Sequence, residues 1–464
     1  MHGIRFVVYS ARYAEFKEKR EIAMNQLEQL FKATVQGYHT SLYQHMPLSD
    51  YRNFNVWALS AKNPHNKIWL QIVGIPQFAK LTQTLLGSSV PPEKWDELVR
   101  FTMSMNAYLI YETISDNLAF GLAAKRPDDT SYELRREILI NFNNAMVARL
   151  KGDRMNSDLI LARIKPKVEK ISSFNYSLTA NEQKTIAAAF LHESPTSTIE
   201  AIEFGAWHSL VANIQSCSYM VDSMQRYKLG DYLRQGLIRR YEAVNELLLD
   251  RVHNKDALVN VSINTILVIP VLTYYISVLT EVLQPNRGLT SLIESGTLQK
   301  ALEDAALMVR LLNDLGTGLV VTDQYHSTLL NELYAKLPPS ADPDTTFADT
   351  LMEHSKQVQL MTRIRKDISF AEYNVSLHSL MTSPPTTTTL LLFGSNLVYY
   401  RELYRQARER LNANLQTISQ TLKTENVSHL IDQFVCFHEH IYQQNFDEQA
   451  GDYATKPDTA SAGT

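Results

Sequence analysis

Apolar residues recur along much of the chain at intervals of three and four positions, which places them on one face of an α-helix. One such stretch begins at Leu298, where Leu302, Ala305, Val309 and Leu312 form an apolar stripe. Proline-containing segments such as GSSVPPEK and KLPPSADPDTT separate these stretches and are typical of loops between helices. The pattern predicts an all-α fold of ten or more helices.

Composition supports one large helical unit. The chain has 464 residues, of which 45% are hydrophobic, enough to bury a large core. Only 16 glycines and 16 prolines occur, which favours helix over strand. No internal repeat or linker divides the chain, so residues 1–445 are predicted to form a single domain. Residues 446–464 are small and polar and predict a disordered tail.

Charge and cysteine usage exclude several classes of protein. The net charge is −4 and neither sign forms a long run, which excludes a nucleic-acid groove. The two cysteines lie far apart, and Cys217 falls in an apolar-periodic helix that predicts a buried free thiol in a reducing cytosol. The first residues lack the apolar core of a secretory signal, because Arg5 and Arg12 bracket it too closely. A cytoplasmic protein is therefore expected.

Residues 259–280 carry no charge over a span long enough to cross a bilayer. Asn260, Asn264 and Pro270 interrupt its apolar character, which favours a buried core helix over a transmembrane span. Proline removes one helical hydrogen bond and clashes with the preceding turn, so Pro270 predicts a break or kink.

Four polar side chains interrupt the apolar segment ALMVRLLNDLGTGLVVTD. Arg310, Asn313, Asp314 and Thr317 recur at steps of three and four and are predicted to share one helical face beside the apolar stripe. One interpretation is a half-buried helix with an ion pair between Arg310 and Asp314. The other is a metal site, because amide, carboxylate and hydroxyl oxygens are ligands suited to magnesium.

A second polar cluster falls in MSMNAYLIYETISDNLAF. Glu112 and Asp116 are four residues apart on one helical face among apolar and aromatic neighbours, with Asn117 as a further oxygen donor. Two carboxylates at this spacing repel each other unless a cation lies between them. The alternative is a solvated stripe on an amphipathic helix.

The segment RLLNDLGT resembles the second metal motif of class I terpene synthases, Asn-Asp-x-x-Ser/Thr-x-x-x-Glu preceded by Arg and two apolar residues. The resemblance implies an isoprenoid-synthase-like helical bundle around a central cavity, in which Asn313 and Thr317 bind magnesium. Glu112 and Asp116 would supply the first metal cluster. Val321 stands where the motif has its glutamate, and the nearest carboxylate is Asp323.

The implied activity is that of a terpene cyclase. Three magnesium ions would draw the diphosphate from a linear prenyl substrate, and the allylic cation would cyclise in an aromatic and aliphatic cavity. A helix broken near Pro270 and a late Arg-Tyr pair, here Arg401 with Tyr400, are further features of the family. The implied substrate-binding residues are Arg310, Tyr108, Tyr111, Phe204, Trp207, Tyr274, Tyr275 and Pro270.

Small residues on the expected pocket helices favour geranylgeranyl diphosphate ahead of farnesyl diphosphate. These residues are Ala107, Gly205, Ala206, Ser209, Ala212, Gly316 and Gly318. Two alternatives stay open: a prenyltransferase or condensing enzyme of the same fold, and a non-catalytic helical relative that has lost its metals. A homodimer is one of the oligomeric states that the sequence leaves open.

The segment CFHEHIYQQ places Cys436 and His440 four residues apart with His438 between them, a spacing that zinc can use. No second pair of ligands follows nearby, so a surface helix is the favoured interpretation.

Overall fold

A computed structural model describes most of the chain: residues 2–119, 122, 131–153, 157–169, 171–177, 179–252, 254–321, 326–337, 345–355, 359–370 and 372–443. Every regular element among these residues is a helix, so the predicted all-α class is confirmed. Asp323 and the predicted tail lie outside the described residues.

Twenty-one α-helices occur in the described part of the chain. The first eleven are α1 (His2–His45), α2 (Asp50–Ala58), α3 (Asn66–Ile72), α4 (Ile75–Leu86), α5 (Trp95–Ala119), α6 (Tyr132–Leu150), α7 (Ser157–Val168), α8 (Ala180–Glu193), α9 (Ile199–Ala206), α10 (Ser209–Met224) and α11 (Gly230–Leu248). The others are α12 (Lys255–Thr265), α13 (Val268–Ser277), α14 (Leu289–Glu294), α15 (Thr297–Leu315), α16 (Thr317–Val320), α17 (His326–Tyr334), α18 (Phe347–Ser355), α19 (Thr362–Ser369), α20 (Thr387–Leu422) and α21 (Asn426–Ile441).

Helix α15 lies inside the larger apolar core and packs against α13, α20 and α21. Its predicted apolar stripe is buried, because these three neighbours leave little of the helix facing solvent. A smaller buried cluster gathers side chains of α2, α3, α8 and α9 against α5. Phe31 and Phe78 pack against both clusters.

Helices α12 and α13 form the uncharged segment. Residues 268–280 are all buried, so the predicted buried helix is confirmed there. The helix breaks at Ile266 and Leu267, where its direction changes by 41°. Pro270 follows as the third residue of α13, in the first turn, where a missing N–H removes no helical hydrogen bond. The predicted break is therefore confirmed, although it precedes the proline.

Length and apolar character limit which of the described helices could cross a bilayer. None of these helices is by itself long and apolar enough to cross a bilayer. The bent pair Lys255–Thr265 and Val268–Leu283 meets the length and composition criteria only when the two are taken together.

Helix α15 ends at Leu315, immediately before Gly316. The helix therefore does not continue through the predicted metal motif. Gly316 has φ 81° and ψ 157°, a conformation that glycine alone adopts readily. Thr317 begins a new short helix, and its hydroxyl donates a 2.6 Å hydrogen bond to the carbonyl of Glu439. The prediction that Thr317 continues the face of Arg310 and Asn313 is wrong, because the backbone turns at Gly316.

The small residues of α9 and α10 allow close helix packing. A Cβ added to Gly205 would lie 2.6 Å from the Cβ of Tyr51 on α2, so the two backbones approach too closely for a larger residue. By contrast, a Cβ added to Gly236 on α11 would lie 3.6 Å from the ring of Pro270, an ordinary contact.

Gly205→Ala is expected to lower the free energy of unfolding by about 1–3 kcal/mol, since the new methyl group overlaps Tyr51. Gly236→Ala is the matched control and should raise it by about 0.5–1 kcal/mol, because alanine is the better helix former. Urea denaturation of both variants measures the difference. Equal effects would contradict the close approach of α9 and α2.

Candidate functional site

A cavity of about 440 Å³ opens between α5, α6, α11, α15 and α21, beside the break between α12 and α13. Much of its wall is aliphatic and aromatic. The apolar lining residues are Phe78, Leu81, Leu109, Ala119, Leu122, Leu139, Phe142, Val244, Leu247, Leu248, Ile266, Leu267, Val268, Val271, Val309 and Phe434. The backbone at the helix break thus forms part of the wall.

Charged side chains also line this cavity, and their charges act on one another's pKa values. They come from α5, α11, α15, and α19 with the segment after it. They are Glu112, Asp116, Arg240, Arg310, Lys366, Asp367 and Glu372. The cavity therefore combines an apolar chamber with one interacting group of charges.

The structure brings together the two polar clusters that the sequence singled out. Glu112 and Asp116 of α5 and Arg310 and Asn313 of α15 all line the same cavity, although about 200 residues of sequence separate them. Facing helices are the arrangement that a site shared by two such clusters requires.

The carboxylate of Glu112 is nevertheless engaged by protein donors. Its Oε1 accepts a 2.6 Å hydrogen bond from Asn213 Nδ2 and another from the hydroxyl of Tyr241. Its Oε2 accepts a 3.1 Å bond from Arg240 Nη2. The side chain is 6% exposed, so this network neutralises a charge that burial would otherwise penalise.

Asn313 and Asp314 are engaged as well. Asn313 Oδ1 accepts a 2.5 Å hydrogen bond from Arg363 Nη2. Asp314 is fully buried, pairs with Arg310 at 2.7 Å and accepts the N–H of Val375 at 2.9 Å. Burial raises the pKa of Asp314, and Arg310 opposes the shift. The ion-pair interpretation of the α15 cluster is thereby confirmed.

These contacts decide whether the predicted ligands fit magnesium. Asp116 alone among the described predicted ligands both lines the cavity and lacks a protein partner for its carboxylate. In the part of the chain that the structure describes, no three His, Cys, Asp or Glu side chains are grouped so as to hold a metal ion. The predicted four-ligand set does not fit magnesium, because three of its members already bind protein groups.

The remaining predicted site residues that the structure describes do not line the cavity. Asn117 lines a separate small pocket, and the hydroxyls of Tyr108 and Tyr274 bond to Tyr241 and to the carbonyl of Phe101. The others outside the lining are Tyr111, Phe204, Trp207, Tyr275, Pro270, Asp314, Thr317, Tyr400 and Arg401. These residues lie on other faces of their helices, because a helix in a bundle has several buried faces and only one of them borders the cavity.

Four charged lining residues have no counterpart in the sequence prediction: Arg240, Lys366, Asp367 and Glu372. The segment RIRKDISFAEY resembles a solvated charged surface, and it carries no periodic signal that it turns inward. Lys366 pairs with Asp367 at 3.1 Å. Burial raises the pKa of Glu372 to about 8; Asp116 and Asp367 add to the shift, while Lys366 and Arg310 oppose it.

The zinc interpretation of CFHEHIYQQ is also resolved. The Cys436 thiol faces Asp432, His440 is exposed, and His438 Nδ1 lies 2.7 Å from the carbonyl of Phe434. His438 lines the cavity together with Phe434, and Leu430, Ile431 and Val435 are buried, so the expectation of a surface helix is wrong because α21 packs one face against the interior.

Comparisons with protein-family models, with curated proteins and with solved structures give no match. The cavity and the resemblance of RLLNDLGT to a metal motif are therefore the two features of this chain that bear on its function.

Glu112→Ala is expected to lower the free energy of unfolding by about 3–5 kcal/mol, because it leaves the buried guanidinium of Arg240 without its partner. Asp116→Asn, one helical turn away and exposed, should change it by less than about 0.5 kcal/mol. Chemical denaturation of the two variants makes the comparison. A stabilised Glu112 variant would instead indicate repulsion between two ligands awaiting a cation.

Glu372 predicts a pH dependence of stability. Its ordinary pKa is 4.5 and its folded pKa is about 8, so the folded protein holds the extra proton between these values. Stability therefore falls as the pH rises towards 8. The free energy of unfolding of Glu372→Gln, taken relative to that of wild type, should rise by on the order of 2 kcal/mol between pH 5 and pH 9.

Denaturation at several pH values measures this gain, with Glu294→Gln at an exposed position as the control. A Glu372→Gln profile parallel to that of wild type would show that Glu372 is ionised throughout.

Proposed function

We propose that the cavity binds a linear prenyl diphosphate, promotes its ionisation and cyclises the resulting allylic cation. The observation that carries this proposal is the juxtaposition of an apolar chamber with Arg240, Arg310 and Lys366. An anionic head group joined to a long hydrocarbon tail matches both parts of such a cavity.

The apolar wall suits the tail and the cation derived from it. Phe78, Phe142, Phe434 and Tyr442 present aromatic groups to the cavity, and most of the other apolar lining residues are Leu, Val and Ile. Aromatic faces attract positive charge, and an aliphatic wall limits the water that would otherwise quench a carbocation.

The three cations suit the diphosphate. When the allylic carbon–oxygen bond breaks, its electron pair leaves with the diphosphate, and positive groups placed beside that oxygen stabilise the developing charge. A guanidinium offers several donors in a fixed plane, so Arg240 and Arg310 can bind phosphate oxygens while keeping one bond to a carboxylate. Protonated Glu372 offers a further donor below a pH of about 8.

Substrate length is open within this proposal. The small residues that favoured geranylgeranyl diphosphate do not line the cavity, so the argument for twenty carbons over fifteen no longer holds. The cavity volume falls within the range of small-molecule sites in general. A condensing enzyme would need room for a second diphosphate. The single interacting group of charges in this cavity favours the binding of one diphosphate.

The test is incubation of the purified protein with prenyl diphosphates of ten, fifteen and twenty carbons, each with magnesium and with a chelator, followed by mass spectrometry of the extract. Cyclic products are expected from at least one substrate. Lys366→Gln should lower kcat/KM about tenfold or more, because one charge beside the diphosphate is lost. Absence of turnover and of binding would overturn the proposal.

Two variants test the magnesium prediction in the same assay. Val321→Glu restores the motif's glutamate at a half-exposed position outside the cavity and should leave turnover unchanged. Loss of magnesium-dependent turnover in Asp116→Asn would show that the protein binds the ion through Asp116. Binding without turnover would instead identify a non-catalytic relative.

A further inference from the structure

We infer that His438 accepts the proton that ends the cyclisation, an inference that rests on the proposed function. His438 belongs to α21 and lines the cavity together with Phe434, one helical turn before it, and Tyr442, one turn after it. The three side chains form a stripe at a spacing of four, so α21 presents one imidazole between two aromatic rings to the chamber.

The hydrogen bond of the ring defines which nitrogen is available. His438 Nδ1 lies 2.7 Å from the carbonyl oxygen of Phe434, which can only accept, so Nδ1 carries the hydrogen. The neutral ring then has a bare lone pair on Nε2. Among the described residues Nε2 has no hydrogen-bond partner, and the residue borders the cavity.

The surroundings of the His438 ring favour its neutral form and supply aromatic faces that attract a cation. Burial lowers the pKa of His438 to about 4, against the smaller opposing effect of the Phe434 carbonyl. The ring centroid of His438 lies 4.5 Å from that of Phe434 and 5.8 Å from that of Tyr442. A carbocation held by these aromatic faces would lie beside the imidazole.

The other lining groups are less suited to this role. Glu372, with a pKa of about 8, holds its own proton at neutral pH. Glu112 and Asp367 already accept bonds from Arg240 and Lys366. Among the described lining residues, His438 is the only imidazole. Asp116 is a carboxylate of the charged group and lies on α5, not on the aromatic stripe of α21.

The step balances as a simple proton transfer. A C–H bond next to the cationic carbon breaks, its electron pair forms the carbon–carbon double bond, and the proton moves to Nε2. The product is a neutral olefin, and the imidazolium returns its proton to the departing diphosphate or to water. A weakly basic imidazole suffices, because a carbocation is a far stronger acid.

Binding of two cationic amphiphiles tests His438 without requiring turnover. Dodecyldimethylammonium has one N–H that Nε2 can accept, whereas dodecyltrimethylammonium has none. Calorimetry below the micellar concentration should show that replacing His438 with Phe reduces the preference for the first ligand over the second about tenfold. His440→Gln, at an exposed position two residues away, is the control and should leave the preference as in wild type.

An equal preference in wild type and His438→Phe would overturn the inference, as would failure of the cavity to bind either amphiphile. If prenyl diphosphates are turned over, His438→Gln should also raise the ratio of water-quenched alcohol to olefin at least threefold, whereas His440→Gln should not. An unchanged ratio would overturn the assignment of the proton. If wild type turns over no diphosphate, the proposed function fails, and the amphiphile experiment still decides whether Nε2 faces a bound cation.

Discussion

Pairing of buried charges is the constraint on which the site depends. An ionised side chain inside an apolar helical bundle is tolerated only when an opposite charge and hydrogen bonds replace the lost water. Three pairs meet that requirement around the cavity: Arg240 with Glu112, Arg310 with Asp314, and Lys366 with Asp367. Only the pair of Arg240 and Glu112 joins two helices, α11 and α5, whereas the other two pairs lie within α15 and within α19.

This pairing leaves two carboxylates in a different state. Among the described residues Asp116 has no hydrogen-bond or ion-pair partner, and burial and neighbouring negative charge raise the pKa of Glu372 to about 8. Each cation of the cavity is therefore paired with a neighbouring carboxylate, and Glu372 is an acid that can donate a hydrogen bond. An incoming diphosphate can accept hydrogen bonds from these cations while each of them keeps a bond to its carboxylate partner.

Breaks in two helices shape the same cavity. The break at Ile266 and Leu267 brings non-helical backbone to the wall, and Gly316 ends α15 just beyond Asn313. The second break turns Thr317 towards the carbonyl of Glu439 and thereby helps to attach α21. Helix α21 and the residue that follows it in turn carry the stripe of Phe434, His438 and Tyr442 that lines the cavity.

Local pattern was sufficient for much of the fold. Periodic apolar residues and few glycines predicted the all-α class, the uncharged segment predicted a buried helix, and Pro270 predicted its break. The sequence also selected Glu112, Asp116, Arg310 and Asn313, because charged and amide groups among apolar neighbours must find partners in the interior. These features depend on residues within a few turns of one another.

Tertiary structure alone decided what those partners are. The spacing of Glu112 and Asp116 is the same for a metal site and for an ion pair, and only the arrival of Arg240, Asn213 and Tyr241 from other helices distinguishes the two. Glu372 gave no local signal and His438 stood out only within a spacing that zinc can use, since a charged or polar residue in a mixed segment resembles solvated surface. Which face of each helix borders the cavity depends on packing between segments as distant in sequence as α4 and α21, and helical periodicity specifies only that a buried face exists.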